Sequence, residues 1–429
     1  MSLQLLSALG LVLVFAVAMA RPVSIGVIAL IAAFVVGTVF AGETADEIAT
    51  GFPGGLFVTL VGVTYLFAIA KANGCVDWMV QSAVRVVRGR PAAIPWAFFA
   101  LAAILTSIGA VSPATVAVLF PIAMSLAAVY GIRPLLMGLL TNLGATAGSF
   151  SPLGIFGIIV NGVMDGNDMG SNPALLYATT FVGSLVAAVV TFFLYGGRGL
   201  LRRGSPEQDG GSPAEGTGGG TATVTALDPV TLNAERITTL IGFVVLVIGA
   251  LLFGVDIGFL AVAVAGAVAV LFPAHAKGAI EHVSWGVVLL VGGLVTYVEL
   301  LERIGTIDWL GSGVANVGSP LIAALLICLI GAVVSAFAST TGMLSALIPL
   351  AVPLIATGHI EALGLMIALS LSSSLVDVSP FSTNGALALA NAPEKERDRV
   401  YRGLLTFGLA MIVIAPLVSW LAFVVPGWV

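Results

Sequence analysis

Apolar runs close to twenty residues long recur from one end of the 429-residue chain to the other, and no other feature limits its fold so strongly. Twenty apolar residues wound as a helix cross about 30 Å of hydrocarbon. The segments between the runs do not supply the polar surface that a water-soluble domain needs. The chain is 59% hydrophobic and 9% charged, whereas a soluble protein carries roughly a quarter charged residues. The class is therefore an all-α polytopic membrane protein. Its 52 glycines suit helices that approach closely in lipid.

Spans are expected at 3–20, 23–41, 52–70, 92–109, 115–130, 134–163 and 172–196, and again at 237–254, 257–273, 284–301, 319–338, 341–357, 361–390 and 401–425. The first span ends in Ala-Met-Ala-Arg but lacks a basic leader, so it reads as a retained helix and not a cleaved signal. Residues 201–235 are rich in Gly, Ser and Pro and polar throughout, the composition of a flexible linker. Their glycines lack the Gly-Lys-Ser/Thr ending of a phosphate loop.

The two sets of spans match. Val63–Tyr65 (VTY) returns at Val295–Tyr297, and Gly74–Trp78 (GCVDW) returns as Gly305–Trp309 (GTIDW). At a constant offset of 228, residues 107–157 and 335–385 share 13 identities without a gap, including Pro121 with Pro349 and Ser151-Pro152 with Ser379-Pro380. Chance similarity between apolar segments would not hold both prolines in register. The chain is two copies of one unit: an N-terminal repeat over 1–200, the linker over 201–235, and a C-terminal repeat over 236–429. In the first repeat, spans fill 1–72, a hairpin and a broken helix fill 92–163, and a last span fills 172–196. In the second, the corresponding ranges are 237–301, 319–390 and 401–425.

If each hairpin enters and leaves on one side, each repeat makes five crossings, and an odd number inverts the second copy. Loop charge agrees with that arrangement. Arg21, Lys71, Arg85, Arg88, Arg90, Arg133, Arg198, Arg202, Arg203, Arg236, Lys277, Lys395, Arg397, Arg399 and Arg402 fall on one face, and only Arg303 falls on the other. The positive-inside rule makes the basic face cytoplasmic. A cell inner (cytoplasmic) membrane protein with both termini outside and the linker inside is the expected arrangement.

The hairpin tips, Ser107–Thr115 (SIGAVSPAT) and Ser335–Gly342 (SAFASTTG), carry no charge and hold small residues and hydroxyls. That composition suits a re-entrant tip buried at the midplane; a tight loop between two full spans is the other reading. The broken helices, near 148–152 and 376–383, each place Ser-Pro inside an apolar run. Irregular backbone at membrane depth is tolerated only where protein buries it or it lines a cavity. Four irregular elements should therefore meet near the midplane, as in secondary transporters built from inverted repeats. Free N–H groups at the broken ends attract anions, and free carbonyls attract cations. Candidate substrate ligands are Ser112 and Thr115 at the first tip; Ser339, Thr340 and Thr341 at the second; Asn142, Thr146 and Ser151 at the first break; and Ser379, Thr383 and Asn384 at the second.

Asp377 is the sharpest single residue. A carboxylate at mid-helix costs about 2.5–3.5 kcal/mol on insertion scales, so a cation or a proton is expected to offset it. The alternative is a structural helix cap. Ser149 holds the equivalent place in the first repeat, and Asp377, Ser149 and Ser339 form the candidate cation or proton coupling set. His275, His282 and His359 fall in expected loops and read as solvated. Asp77-Trp78 and Asp308-Trp309 read as interface anchors, and Arg133 as a membrane-edge anchor. Cys75 and Cys328 form neither a disulfide framework nor a metal motif. No zinc-protease, nucleophile-elbow or ATP motif is present, so the expectation is a protein that is not an enzyme and carries no cofactor. Its expected partners are a small anion and membrane lipid, not nucleic acid.

These residues resemble the ion transporter superfamily, whose divalent-anion:sodium symporters carry Ser-Asn-Thr at each hairpin tip with Pro ten positions after the Ser. Here Ser339-Thr340-Thr341 leads to Pro349 at that spacing, with Thr340 in the Asn place, and Val111-Ser112-Pro113 stands at the corresponding place before Pro121. The phrases SFSPLGIFGIIVNGVM (149–164) and SLVDVSPFSTNGALALANAP (374–393) look most like dicarboxylate carriers of the malonate (MatC) type. The resemblance implies an elevator mechanism, a homodimer, and sodium sites made by tip and break together. The reading that follows is a sodium- or proton-coupled symporter, a permease for small dicarboxylates such as malonate or succinate. The alternative is a cation/proton antiporter or inorganic-anion permease on the same fold.

Overall fold

A computed structural model describes the chain except for Met1, Pro22, Asp168, Trp428, Val429 and the ranges 87–89, 203–230, 307–308, 310–318, 337–339 and 357–359. Ser339, Asp308, His359, Arg88, Arg203 and most of the expected linker therefore lie outside the described residues.

The first half forms helices α1 (Leu3–Ala20), α2 (Ile25–Val35), α3 (Ala45–Thr50), α4 (Gly54–Ala72), α5 (Cys75–Val86), α6 (Ile94–Ser107), α7 (Ser112–Val129), α8 (Pro134–Ser149), α9 (Ile155–Gly166), α10 (Pro173–Leu194) and α11 (Gly197–Arg202). The second half forms α12 (Ala234–Phe253), α13 (Ile257–Leu271), α14 (Pro273–Ala276), α15 (Trp285–Arg303), α16 (Pro320–Ser335), α17 (Thr340–Ala356), α18 (Ala362–Ser374), α19 (Thr383–Ala390) and α20 (Arg397–Ser419). Short π turns extend α2 over Val36–Ala41 and α20 over Trp420–Val424. No strand occurs among the described residues. Among those residues, α4, α7, α10, α15 and the run through α20 are long and apolar enough to cross a membrane, and most of the other helices are shorter apolar segments. The protein is a multi-pass, all-helical membrane protein.

Proline sets several of the starts. Pro95, Pro113, Pro134, Pro173 and Pro320 stand in the first turn of α6, α7, α8, α10 and α16, where the missing N–H costs nothing. Asn172 and Asp256 cap α10 and α13 by accepting from Leu175 N and Phe259 N.

Contacts recur in matched pairs. The first hairpin arm α6 packs on α8, and α16 packs on α18. The returning arm crosses to the other half: α7 meets α19, and α17 meets α9. The last helix of each half does the same, α10 against α18 and α20 against α8. Outside this centre, α4 packs on α13 and α2 on α15. A second apolar core ties α1, α2 and α15 together around Tyr297, whose hydroxyl donates to the Ser7 carbonyl at 2.8 Å.

Two polar details differ from the sequence reading. His275 is exposed but not merely solvated, because its Nδ1 lies 2.9 Å from Glu235. Arg303, the basic residue apart from the others, pairs with Glu43 at 2.8 Å.

Candidate functional site

The two helix breaks sit at the crossing of these matched contacts. The first runs over 150–154, between α8 and α9, and the second over 375–382, between α18 and α19. Both are chains of tight turns. Ser151 N donates to Gly148 O and Gly154 N to Ser151 O, and at the offset of 228 Ser379 N donates to Val376 O and Ser382 N to Ser379 O. A further turn, Asp377 N to Ser374 O, unwinds the second break earlier. Gly157 and Gly385 close the two breaks alike. A Cβ at Gly157 would stand 2.0 Å from the Ser151 carbonyl oxygen, and one at Gly385 would stand 1.9 Å from that of Ser379. Only a residue without a Cβ lets the second half-helix return so tightly.

The hairpin tips reach these breaks. Ser151 Oγ donates to the Ser107 carbonyl at 2.6 Å, which ties the first tip to its own break. A Cβ at Gly109 would come within 2.0 Å of Val63 Cγ1, so this tip rests on the middle of α4. At the second tip, the hydroxyls of Thr340 and Ser335 are 2.8 Å apart.

Asp377 joins the pieces. Asn384 Nδ2 donates to Asp377 Oδ2 at 2.9 Å and to Ser112 Oγ at 2.9 Å, so one amide links the acid of the second break to the tip of the first hairpin. The hydroxyls of Thr340 and Ser382 also act on the carboxylate. Asn142 Nδ2, from α8, donates to the Asp377 backbone carbonyl at 3.2 Å. The buried acid thus touches the second hairpin and both broken helices, and reaches the tip of the first hairpin through Asn384.

Several polar atoms of these elements are buried without a protein partner: Thr115 Oγ1, Asn142 Oδ1 and Asn384 Oδ1, and on α18 Ser370 Oγ and Ser373 Oγ, the latter facing Gly331 of α16. An orphaned buried oxygen costs about 1–3 kcal/mol, and native structures leave few of them. Asn142 and Asn384 spend their donors on protein and keep their carbonyl oxygens. Amide oxygens, hydroxyls and a carboxylate form an oxygen donor set of the kind hard cations take.

The remaining candidates divide. Thr146 and Thr341 are buried, and the Thr341 carbonyl accepts from Ser345 Oγ. Ser149 Oγ donates to Ala145 O at 2.7 Å and Ser151 to Ser107, so both hydroxyls serve the backbone. Ser379 Oγ accepts from Phe381 N at 3.3 Å. Thr383 is exposed and stands apart from the cluster. The buried hydroxyl at that helix start is Ser382, which caps α19 by accepting from Gly385 N. Sequence reasoning passed over Ser382 and Ser335. Ser382 stands three residues before Gly385 at a helix start, the spacing of an N-cap, and Ser335 had its signal in the match to Ser107.

Comparison with known proteins agrees with the carrier resemblance. Residues 1–149 match the family model for the N-terminus of the dicarboxylate carrier protein MatC. The rat Na(+)/dicarboxylate cotransporter 3 is 30% identical over 142 residues, and the mouse protein of that name is 29% identical over 142 residues. Each alignment covers 32% of this chain and 24% of the relative, so the chain spans about a quarter of the length of these relatives. Over that part, the protein is similar to divalent-anion:sodium symporter-like carriers.

Proposed function

We propose that the protein is a secondary active transporter of small dicarboxylates of the malonate or succinate kind, coupled to sodium or protons. The observation that carries this reading is the Asp377–Asn384–Ser112 chain, which links the buried acid of the second broken helix to the tip of the first hairpin while nearby amide oxygens stay unpaired. A cation beside Asp377, Asn142 and Asn384 would satisfy those oxygens and offset the carboxylate. The substrate's own carboxylates would then meet hydroxyls and the free N–H groups of the half-helices. Ser112, Thr115, Thr146, Thr340 and Thr341 remain the substrate candidates. The matches to dicarboxylate proteins support the substrate class.

The repeats are inverted in this reading, and the matched exchange of contacts between halves supports it. Hairpins, broken helices and α10 and α20 move as one body against the other spans, as an elevator, and two copies of the chain pair through those other spans. The termini face outside and the 201–235 segment the cytoplasm. A cysteine placed in 205–225 should resist an impermeant thiol reagent in intact cells; labelling from outside would overturn this orientation.

A second reading, cation/proton exchange, is favoured by one observation, the single buried carboxylate at the break. One experiment separates the two. The purified protein in proteoliposomes should accumulate labelled malonate or succinate under an inward sodium or proton gradient. Cation exchange without dicarboxylate uptake would replace the first reading by the second, and inactivity under every gradient would remove both.

A further inference from the structure

Away from the central cluster, two cavities meet at Tyr195. One is an apolar groove of about 780 Å³ between α10, α18 and α20, floored by Gly183, Ala187, Leu371 and Ala415. The other, of about 440 Å³, has a mixed lining, with Arg133, Glu396 and Arg399 beside Leu135, Tyr195 and Val400. Tyr195 lines both, at the end of α10. The smaller cavity also lies where two long helices begin. Arg133 and Glu396 are the N-cap residues of α8 and α20, and neither side chain caps its helix. Two helix ends and two guanidinium groups therefore face one space, where the Glu396 carboxylate offsets part of the charge of Arg399.

The arginines are only partly engaged. Arg133 Nη1 donates to the Tyr195 carbonyl at 3.3 Å. Arg399 meets Glu396 through Nη1, at 3.2 Å. Both arginines are exposed, and a guanidinium carries five donors in a planar fork suited to phosphate oxygens. One turn before Tyr195, about 6 Å along the helix axis, Thr191 lines the groove with a buried Oγ1 that has no protein partner. A donor one turn below a basic pocket, with an apolar groove beyond it, follows the order of groups in a glycerophospholipid: phosphate, ester carbonyl, acyl chain.

We propose that this groove and pocket hold one anionic phospholipid, its phosphate between Arg133 and Arg399, an ester carbonyl at Thr191, and an acyl chain along α10 and α20. Charge decides the occupant. A second protein copy would need an acidic knob beside an apolar ridge, whereas a phospholipid carries both in one molecule and is the solvent of this surface. In the orientation proposed above this pocket is cytoplasmic, the face on which basic pockets between membrane helices bind anionic headgroups. The site stands apart from the transport reading, because its test measures lipid and not substrate.

The test is native mass spectrometry on the delipidated full-length protein, titrated with phosphatidylglycerol, with phosphatidylcholine of the same chains, and with glycerol 3-phosphate. Wild type should retain one phosphatidylglycerol per chain, about tenfold more tightly than phosphatidylcholine, because both lipids offer a phosphate but the choline cation would stand against the two guanidinium groups. Arg133→Gln with Arg399→Gln should erase that preference, and Ala187→Phe, which fills the groove, should weaken both lipids. Equal binding of the two lipids by wild type overturns the proposal. So does a preference that survives the paired glutamines, or glycerol 3-phosphate that binds as tightly as the lipid. If the paired variant does not fold, Ala187→Phe decides alone, and full retention of phosphatidylglycerol there overturns the site.

Discussion

The two breaks begin from the same local sequence and end with different chemistry. Both hold Ser-Pro, both fold into the same turns, and both are closed by a glycine set over a serine carbonyl. They differ where a side chain could carry charge. In the first break Ser149 is still helical and returns its hydroxyl to Ala145, and Phe156 packs on Phe150 with ring centroids 5.3 Å apart. In the second, the equivalent places hold Asp377 and Asn384, and the helix has ended at Ser374, three residues earlier in register. Unwinding there lets Asp377 leave the helix wall and reach Asn384, Thr340 and Ser382. One break is sealed with aromatic surface and the other is left polar. A shared scaffold thus places an acid and an amide in one break where the other holds a serine and a phenylalanine.

Asp377→Asn tests that division most severely. The amide preserves size and one acceptor oxygen but removes the charge and turns the other oxygen into a donor. Gradient-driven accumulation of dicarboxylate should fall to equilibrium in proteoliposomes, while substrate exchange persists. The cost of a buried carboxylate, about 2.5–3.5 kcal/mol on insertion scales, disappears with it, so thermal stability should hold or rise. Wild-type accumulation in this variant would make Asp377 a helix cap and erase the functional difference between the breaks.

Phe156→Ala probes the sealed side. Truncating a buried phenylalanine costs about 3–5 kcal/mol, so the melting temperature in detergent should drop sharply. The apparent KM of whatever folded protein remains should stay within about twofold of wild type. A large KM change with unchanged stability would show that the first break also handles ligand.

Asn384→Ala is the matched change on the polar side and should have the smaller effect on stability, about 1–3 kcal/mol. Its main effect should be on function, because Ser112 and Asp377 lose the amide that joins them. The apparent KM should rise about tenfold, the equivalent of 1.4 kcal/mol. A melting-temperature loss with unchanged KM would reduce Asn384 to structural support.

Both breaks were legible in the sequence because a proline inside an apolar run removes a helix hydrogen bond and clashes with the preceding turn; they were expected near 148–152 and 376–383 and stand at 150–154 and 375–382. The hairpin arms were legible for a related reason, since each begins or ends in small uncharged residues. The connections were not. Asn384 and Ser112 are 272 residues apart, and no spacing rule joins positions at that distance. Nor does sequence tell where a serine hydroxyl sends its proton: Ser149 donates to its own helix and Ser151 to the first hairpin tip, which leaves each only lone pairs for a ligand. Thr383 and Ser382 differ by one position at a helix start, and one position decides which hydroxyl is buried. The extra unwinding at 375–377 depends on contacts to Asp377 that only the assembled fold provides.

The smallest effect expected is at Ser149, and it bears most directly on why the breaks differ. If Ser149 matches Asp377 in function, removing its hydroxyl should impair coupling. If it only completes a helix, removal should do almost nothing. The structure favours the second outcome, because Ser149 Oγ donates to Ala145 O, four residues back. That bond competes with the helix's own backbone bonding and contributes little, and alanine is the better helix former by a few tenths of a kcal/mol. Ser149→Ala should therefore change stability by no more than about 0.5 kcal/mol, the range of substitutions that touch no special feature. Accumulation ratio and sodium or pH dependence should match wild type. A coupling loss comparable to Asp377→Asn would mean that both breaks hold the coupling ion at some stage of the cycle, with Ser149 turned away from its ligand in the state described. The asymmetry between the breaks would then belong to one conformation of the protein and not to the design of its two halves.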